Sequence, residues 1–447
     1  MNKILILFAT LVLISCCSFD NKSGIWTEEL EKRKKALKQD KYDSVFKESE
    51  ISSNEVFNQK KIKITLNDTN TIQNWLEEYY NSSNNEGNVN LDIKQILIHK
   101  KKLDDLFVKN NNKKKNLLVY KDNVISSDNK GNIYIYSPSQ KKKIFKYNFY
   151  KKKYKSLEKE LFLIINNNTI YIADNLGYIY AINIEDQKII WAKNFGIPFR
   201  SNLKYMKGQI FLANQDNTIF SINAKNGNKN WSLLTEGTLL KSEFINNIAL
   251  DENNLYFYNT SGSLYAVDYI SNSVKWVSNF NLFNPQDDTN IFFGLPMILN
   301  TNNIVIVAGK MIFNVDKLSG SNIWTKTFAI KTKPILTNNN IFFTTSNNFA
   351  VCLDINTGKV IWARSLLNQI NKNKNLLKST STIDYNYIID NKIFLIHSSG
   401  HSSILDIKNG NVLSFKKLLS KKVIGGPAFA KNNLYLLDKD LKLYIFN

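Results

Sequence analysis

Few residues in this sequence combine reactive chemistry with a spacing that could use it. There are three cysteines and three histidines among 447 residues. Cys352 lies in Phe349-Ala350-Val351-Cys352-Leu353, an apolar run that reads as a strand, where a thiol is a small core group and not a nucleophile. His397 and His401 have the separation of two metal ligands on a helix, but Ser398-Ser399-Gly400 between them reads as a turn between strands. The imidazoles therefore share no helical face. His99 is isolated, and neither a glycine-rich phosphate loop nor a serine nucleophile in an elbow context is found. What recurs is tryptophan, at Trp191, Trp231, Trp276, Trp324 and Trp362, each shortly after a polar turn. Large aromatic groups repeated in this way are expected to be packing elements, not a cofactor platform.

The elements that position these tryptophans repeat with them. One unit runs Asn340-Ile341-Phe342-Phe343-Thr344-Thr345, then Phe349-Ala350-Val351-Cys352-Leu353-Asp354, then Asn356-Thr357-Gly358-Lys359-Val360-Ile361-Trp362. The Asn or Asp that closes the middle strand recurs at Asn183, Asn223, Asp268, Asp316 and Asp354, at intervals of 40, 45, 48 and 38. Weaker copies put Phe145 and Phe415 in the Trp place, and units beginning at Asn123, Thr169, Gln209, Asn254, Asn303, Asn340, Lys392 and Asn433 number eight. A period near 42 residues matches four strands per propeller blade. The last copy ends at Phe446 without its outer strand, which would leave an open sheet edge. Leu91 to His99 has strand character and is expected to supply that strand. The expectation is an all-β chain with a single eight-bladed β-propeller of four-stranded blades over residues 91–447, preceded by a polar tether over 16–90.

The start of the chain has a different pattern. Lys3, an apolar run from Ile4 to Ile14 and then Leu13-Ile14-Ser15-Cys16 make a stretch far shorter than the roughly 20 residues of a membrane span. It resembles a bacterial lipoprotein signal, residues 1–15, with Cys16 in the lipobox place. That resemblance implies cleavage before Cys16 and acylation of its sulfur, including palmitate, and the absence of Asp after it implies the outer membrane. Cys17 fits the pattern less well, because Cys16 would precede it.

Hydrophobic residues at 43% and charged residues at 22% exclude both a polytopic membrane protein and a mostly disordered chain. The net charge is +21, and residues 91 to 160 alone contain 19 Lys against 7 Asp plus Glu. These lysines flank strands. They read as the solvated surface of a chain biased to Lys, Asn and Ile, with attraction to anionic lipid or an acidic partner as the sharper alternative. No aromatic interleaving accompanies them, so nucleic acid is not expected as a partner.

The run Gly-x-x-Tyr-Ala-x-Asn/Asp followed by Thr-Gly-Lys-x-x-Trp resembles the pyrroloquinoline-quinone-type propeller repeat, over residues 91–447. Asn74-Trp75 and Asn84 to Asn88 are similar to the region before the first blade in some members. Two classes share the repeat. One is the quinoprotein dehydrogenases, whose likeness implies a quinone, a Ca²⁺ ion, an acidic base and a vicinal disulfide; the only adjacent cysteines here are Cys16 and Cys17. The other is the BamB-type lipoproteins of outer-membrane β-barrel assembly. That likeness implies a non-enzymatic scaffold without cofactor or metal, anchored at the periplasmic face of the outer membrane as a monomer within a larger complex. Its implied partners are a BamA-type barrel-forming subunit and unfolded outer-membrane proteins. A propeller lipoprotein with another envelope partner is a third reading.

For the partner surface, the loops from Thr235 to Phe244 and from Asn281 to Phe292 join consecutive blades and are expected to be neighbours. Leu239, Leu240 and Lys241 in the first, with Asp287 and Asp288 in the second, are the expected partner-binding residues, since apolar anchors ringed by charge suit a binding hot spot. The alternative is that Leu239 and Leu240 begin the inner strand of the next blade and are core.

Overall fold

Both faces of a propeller blade are covered by other blades, so its middle strands carry unbroken apolar runs. In blade six Asn340–Thr344 is buried along its whole length, and Phe349–Asp354 is buried up to its last residue. The computed structural model describes residues 55–447 other than 59–61, 63, 93, 104–116, 152–153, 238–243, 282–291 and 371–381. The expected signal and Cys16 therefore lie outside the described residues.

Eight sheets of four antiparallel strands follow one another, in the first seven those four strands lie in chain order, and the seventh sheet carries a fifth, parallel strand at its inner edge. The innermost strands are Leu117–Tyr120, Leu161–Asn166, Lys204–Met206, Asn247–Leu250, Gly294–Leu299, Ile335–Leu336, Ile383–Ile389 and Val423–Ala430. The eight unit starts read from the sequence are the first residues of the second strands, from Asn123–Ser127 in blade one to Asn433–Asp438 in blade eight. The eight-bladed, four-stranded architecture expected from the repeat is the one found.

Blade eight is closed by the N-terminal side of the chain. Its order is Leu97–Lys102, Lys442–Phe446, Asn433–Asp438, Val423–Ala430, with Lys100 opposite Tyr444 and Lys102 opposite Lys442. The expected closure is present, but the strand lies at 97–102 and not at 91–99. Leu91 is instead buried in the apolar cluster that joins Leu434 and Phe446 of blade eight to Leu118 and Ile135 of blade one.

Between blades the tryptophans act as clamps. Each donates its indole N–H to a carbonyl of the next blade: Trp191 to Ala224 (3.0 Å), Trp231 to Tyr269 (3.2 Å), Trp276 to Lys317 (3.3 Å), Trp324 to Ile355 (2.7 Å) and Trp362 to Ile407 (3.1 Å). Under four of the indoles lies a turn glycine, Gly227, Gly320, Gly358 or Gly410, where a Cβ would come within 2.4 to 2.8 Å of ring carbons. These glycines have positive φ, so one residue type meets both the turn and the close approach. Cys352 is fully buried, and burial pushes its thiol pKa well up.

Candidate functional site

In an antiparallel blade the connection to the next blade leaves from the end opposite the first hairpin. The two connections singled out above, between blades three and four and between blades four and five, have well-packed stems. Thr235 and Glu236 continue the outer strand Lys229–Leu234. The Thr235 hydroxyl donates to the Asn217 carbonyl (2.7 Å), and the Glu236 carbonyl accepts from Asn217 Nδ2 (2.8 Å) and the Ser261 hydroxyl (3.0 Å). Tyr265 donates its hydroxyl to the Glu236 carboxylate. On the returning side, Phe244 is buried and Asn246 donates through Nδ2 to the Asn214 carbonyl at 2.8 Å. The innermost strand of blade four starts at Asn247.

The second connection returns at Phe292, which is 4% exposed beside the 45% exposed Phe293. Phe244 and Phe292 meet edge to face, with centroids 5.4 Å apart and planes at 81°, and both contact Tyr258. The stems are thus stapled together. Leu239, Leu240, Lys241, Asp287 and Asp288 lie outside the described residues.

At the opposite end, residues 70–92 cross the channel. They fall partly within the span expected to be a tether, yet they bond to all eight blades. Trp75 exchanges both backbone bonds with Val119 of blade one (2.8 Å each), and the Leu76 carbonyl accepts from Ile165 N–H of blade two. The Lys204 ammonium of blade three is 3.2 Å from the Glu77 carboxylate, with both side chains buried. The Ser82 and Ser83 carbonyls accept from Leu250 and Leu299 of blades four and five. Asn84 Nδ2 reaches Asn247 Oδ1, the Ile248 carbonyl and the Met297 carbonyl at 3.1 to 3.2 Å. Asn85 exchanges two bonds with the Leu336 backbone of blade six. Asn88–Val89 adds a parallel strand to Ile383–Ile389 of blade seven, and Ile72 accepts from Lys431 N–H of blade eight. Sequence reasoning missed this plug as a structural element; its one signal was the Asn74-Trp75 and Asn84 to Asn88 pattern. Burial raises the Glu77 pKa and lowers that of Lys204, each partner offsetting part of the shift.

A cavity of about 240 Å³ remains in the channel, lined by Glu78, Tyr79, Glu86, Asp384, Tyr385 and Tyr387 among others. Burial first, and neighbouring carboxylates second, push the three tyrosine hydroxyls up, so at neutral pH they are donors. Lys333 is committed to Glu86 (2.6 Å) and the Asn84 carbonyl (2.7 Å). A quinone with its Ca²⁺ needs a convergent set of oxygen ligands. Among the described residues no group of three or more His, Cys, Asp or Glu is placed to hold a metal ion. The histidines are otherwise engaged. His397 Nε2 is 2.7 Å from the Ser403 hydroxyl, and His401 Nδ1 is 3.0 Å from that of Ser399.

The family model described as outer membrane protein assembly factor BamB matches residues 129–364, just over half of the chain. A relative of that name from Moranella endobia (strain PCIT) is 19% identical over 305 residues, covering 63% of this chain and 74% of the relative. Among solved structures, BamB from Moraxella catarrhalis superposes with a TM-score of 0.62 at 13% identity, over 78% of this chain and 99% of that one. Quinohemoprotein alcohol dehydrogenase from Comamonas testosteroni gives 0.61 at 10% identity, over 83% and 80%. At these identities the likeness to solved structures shows the propeller fold alone.

Proposed function

Because the chain belongs to the family of outer membrane protein assembly factor BamB, we propose that it is a non-catalytic scaffold subunit of the machinery that inserts β-barrel proteins into the outer membrane. In this reading the loops between blades three and four and between blades four and five bind a BamA-type barrel-forming subunit. Leu239 and Leu240 form the apolar centre, and Lys241, Asp287 and Asp288 its charged rim. The observation that carries the assignment of surface is the Phe244–Phe292 contact, which fixes the two stems side by side. Acylated Cys16 holds the protein at the periplasmic face of the outer membrane, as a monomer within the larger complex, with unfolded barrel proteins as further clients.

Affinity capture from native membranes tests the reading. Wild-type protein is expected to bring down the barrel-forming subunit, whereas Leu240→Asp with Lys241→Glu loses it while still melting cooperatively. Capture at wild-type level by the double variant places the interface elsewhere, and unfolding of the variant makes the leucines core. Cys16→Ala is expected to abolish incorporation of a clickable fatty acid; label that persists overturns the anchor.

A further inference from the structure

The outer strands of the eight blades differ in charge. Blades two to six carry one cation each there: Lys193, Lys229, Lys275, Lys326 and Arg364. Blades seven, eight and one carry Lys416 and Lys417, then Lys100, Lys101 and Lys102, then Lys142, Lys143 and Lys146. These eight lysines are exposed, and none of the three strands contains Asp or Glu. The three blades are consecutive around the ring. The seam between blades eight and one brings His99 Nε2 within 3.0 Å of the Tyr136 hydroxyl. Burial first, and the neighbouring Lys141 and Lys101 after it, hold the His99 pKa below its usual value.

Apolar surface lies in the same sector. Ile96, Leu97 and Ile98 are consecutive and 56%, 47% and 54% exposed, and Leu413 on the blade-seven strand is 56% exposed. A run of exposed aliphatic side chains is unfavourable in water unless something covers it.

We propose that the outer strands of blades seven, eight and one form a docking face for an anionic phospholipid bilayer. The lysine ammonium groups meet lipid phosphates, and Ile96, Leu97 and Ile98 enter the boundary between headgroups and acyl chains. Charge complementarity requires an anionic occupant. The aliphatic run selects a bilayer over a soluble polyanion, which offers nothing to Ile96 or Leu97, and lysines flanking an apolar strip keep their heads at the phosphate level while their stems lie along it. The path of the chain agrees. Val56 exchanges backbone bonds with Ala363 (2.9 and 2.8 Å) on the outer strand of blade six, next to this sector. Glu55 accepts from Ser365 N–H at 2.9 Å, and the Arg364 guanidinium lies 4.3 Å from the Phe57 ring centroid. The chain thus joins the propeller beside the basic face. The proposal stands without the lipid anchor and without the barrel-forming partner.

The test is sedimentation of the full chain carrying Cys16→Ser with vesicles of phosphatidylcholine alone or with roughly a third phosphatidylglycerol. Comparing the two vesicle types subtracts any contribution of the N-terminal apolar run. Phosphatidylglycerol is expected to raise the partition coefficient at least about ten-fold at roughly 0.1 M salt, and roughly 1 M salt is expected to remove the gain. Lys100→Glu, Lys101→Glu, Lys142→Glu and Lys143→Glu together should remove it with unchanged thermal melting, since all four side chains are exposed. The control reverses four cations on the other blades, Lys193, Lys229, Lys275 and Lys326, and should retain binding within about two-fold. No dependence on phosphatidylglycerol, including the case in which the same face captures an acidic protein instead, overturns the proposal. An equal loss in the control variant, which would reduce the effect to net charge, overturns it as well.

Discussion

Phe244 and Phe292, on connections that follow different blades, stack edge to face with centroids 5.4 Å apart. Both rings also lean on Tyr258, so the base of two neighbouring loops is one aromatic knot. Aromatic pairs in this geometry contribute about 0.5–1.5 kcal/mol beyond the area they bury. Phe244→Leu and Phe292→Leu should therefore show a coupling energy of about 1 kcal/mol in a double-mutant cycle read by chemical denaturation. The same variants should weaken capture of the barrel-forming subunit while leaving vesicle binding unchanged. A coupling energy of zero would mean the loops are positioned independently.

A sharper steric relation holds between Trp362 and Gly410. At Gly410 an added Cβ would stand 2.6 Å from the indole and 2.8 Å from Arg364 Cγ, whereas at Gly208, also at positive φ, it would meet nothing within 4 Å. Gly208→Ala should cost about 1 kcal/mol from backbone conformation alone. Gly410→Ala adds overpacking and should cost about 2–4 kcal/mol. Urea unfolding of the two variants separates these terms; equal losses would show that the blade-to-blade clamp yields freely.

The repeat was legible because its signal is redundant. The middle strands are apolar throughout, the turn carries Asn or Asp followed by Gly, and an aromatic group follows, so a weak copy such as that of Phe145 is rescued by its period. The innermost strands were less visible, since Lys204–Met206 and Ile335–Leu336 are too short to show a period. The closing strand was placed six residues early because Leu91 looks like strand core while Lys100, Lys101 and Lys102 look like a loop. In the fold Leu91 belongs to the central cluster, and the lysines pair on an exposed edge that requires no apolar residue. The plug was hardest to read. Asn81, Ser82, Ser83 and Asn84 have the composition of a surface turn, and only the inner strands around them turn their amide and carbonyl groups into partners.

Ring closure through Leu97–Lys102 makes the N-terminal strand a determinant of global stability. Its removal exposes the edge of Lys442–Phe446 and takes away the His99 imidazole that meets the Tyr136 hydroxyl. Deletion of residues 97–102 should lower the melting temperature of the whole propeller as a single transition, since the blades bury one another. Unchanged melting, or loss confined to a minor early transition, would show that blade eight is dispensable.

Acid should loosen the turns selectively. The Ser319 hydroxyl and amide hold Asp316 below the ordinary carboxylate value of 3.8, as the Ser271 and Ile270 amides do for Asp268. A folded pKa below the unfolded one means that the unfolded chain binds more protons in that window. The contribution is complete above pH of about 4 and is lost as pH falls through the folded value. Asp268→Asn with Asp316→Asn should lower the melting temperature modestly at neutral pH and flatten its fall between about pH 4 and pH 2, so that variant and wild type converge in acid. Asp174 works in the opposite sense, because burial raises its pKa, so the double variant and not the wild-type slope is the informative comparison.

The strongest test of the plug is the Glu77–Lys204 pair. Both side chains are buried at 3.2 Å, and Lys204 also donates to the Asn81 carbonyl. Removing one charge from such a pair leaves the other without compensation and should cost about 3–5 kcal/mol, so Lys204→Met is expected to be severely destabilising at neutral pH. Glu77 already has a raised pKa from burial, and losing Lys204 raises it further. A carboxyl whose folded pKa lies above its unfolded value is tolerated below the unfolded pKa, and stability falls as pH rises toward the folded one. The deficit of Lys204→Met should therefore be small near pH 4 and grow toward pH 7. Adding Glu77→Leu should recover most of it and abolish that pH dependence, because an apolar pair of similar volume replaces a desolvated ion pair at little net loss. If Lys204→Met melts like wild type at neutral pH, residues 70–92 do not hold the channel closed, and the buried pair contributes nothing to the ring.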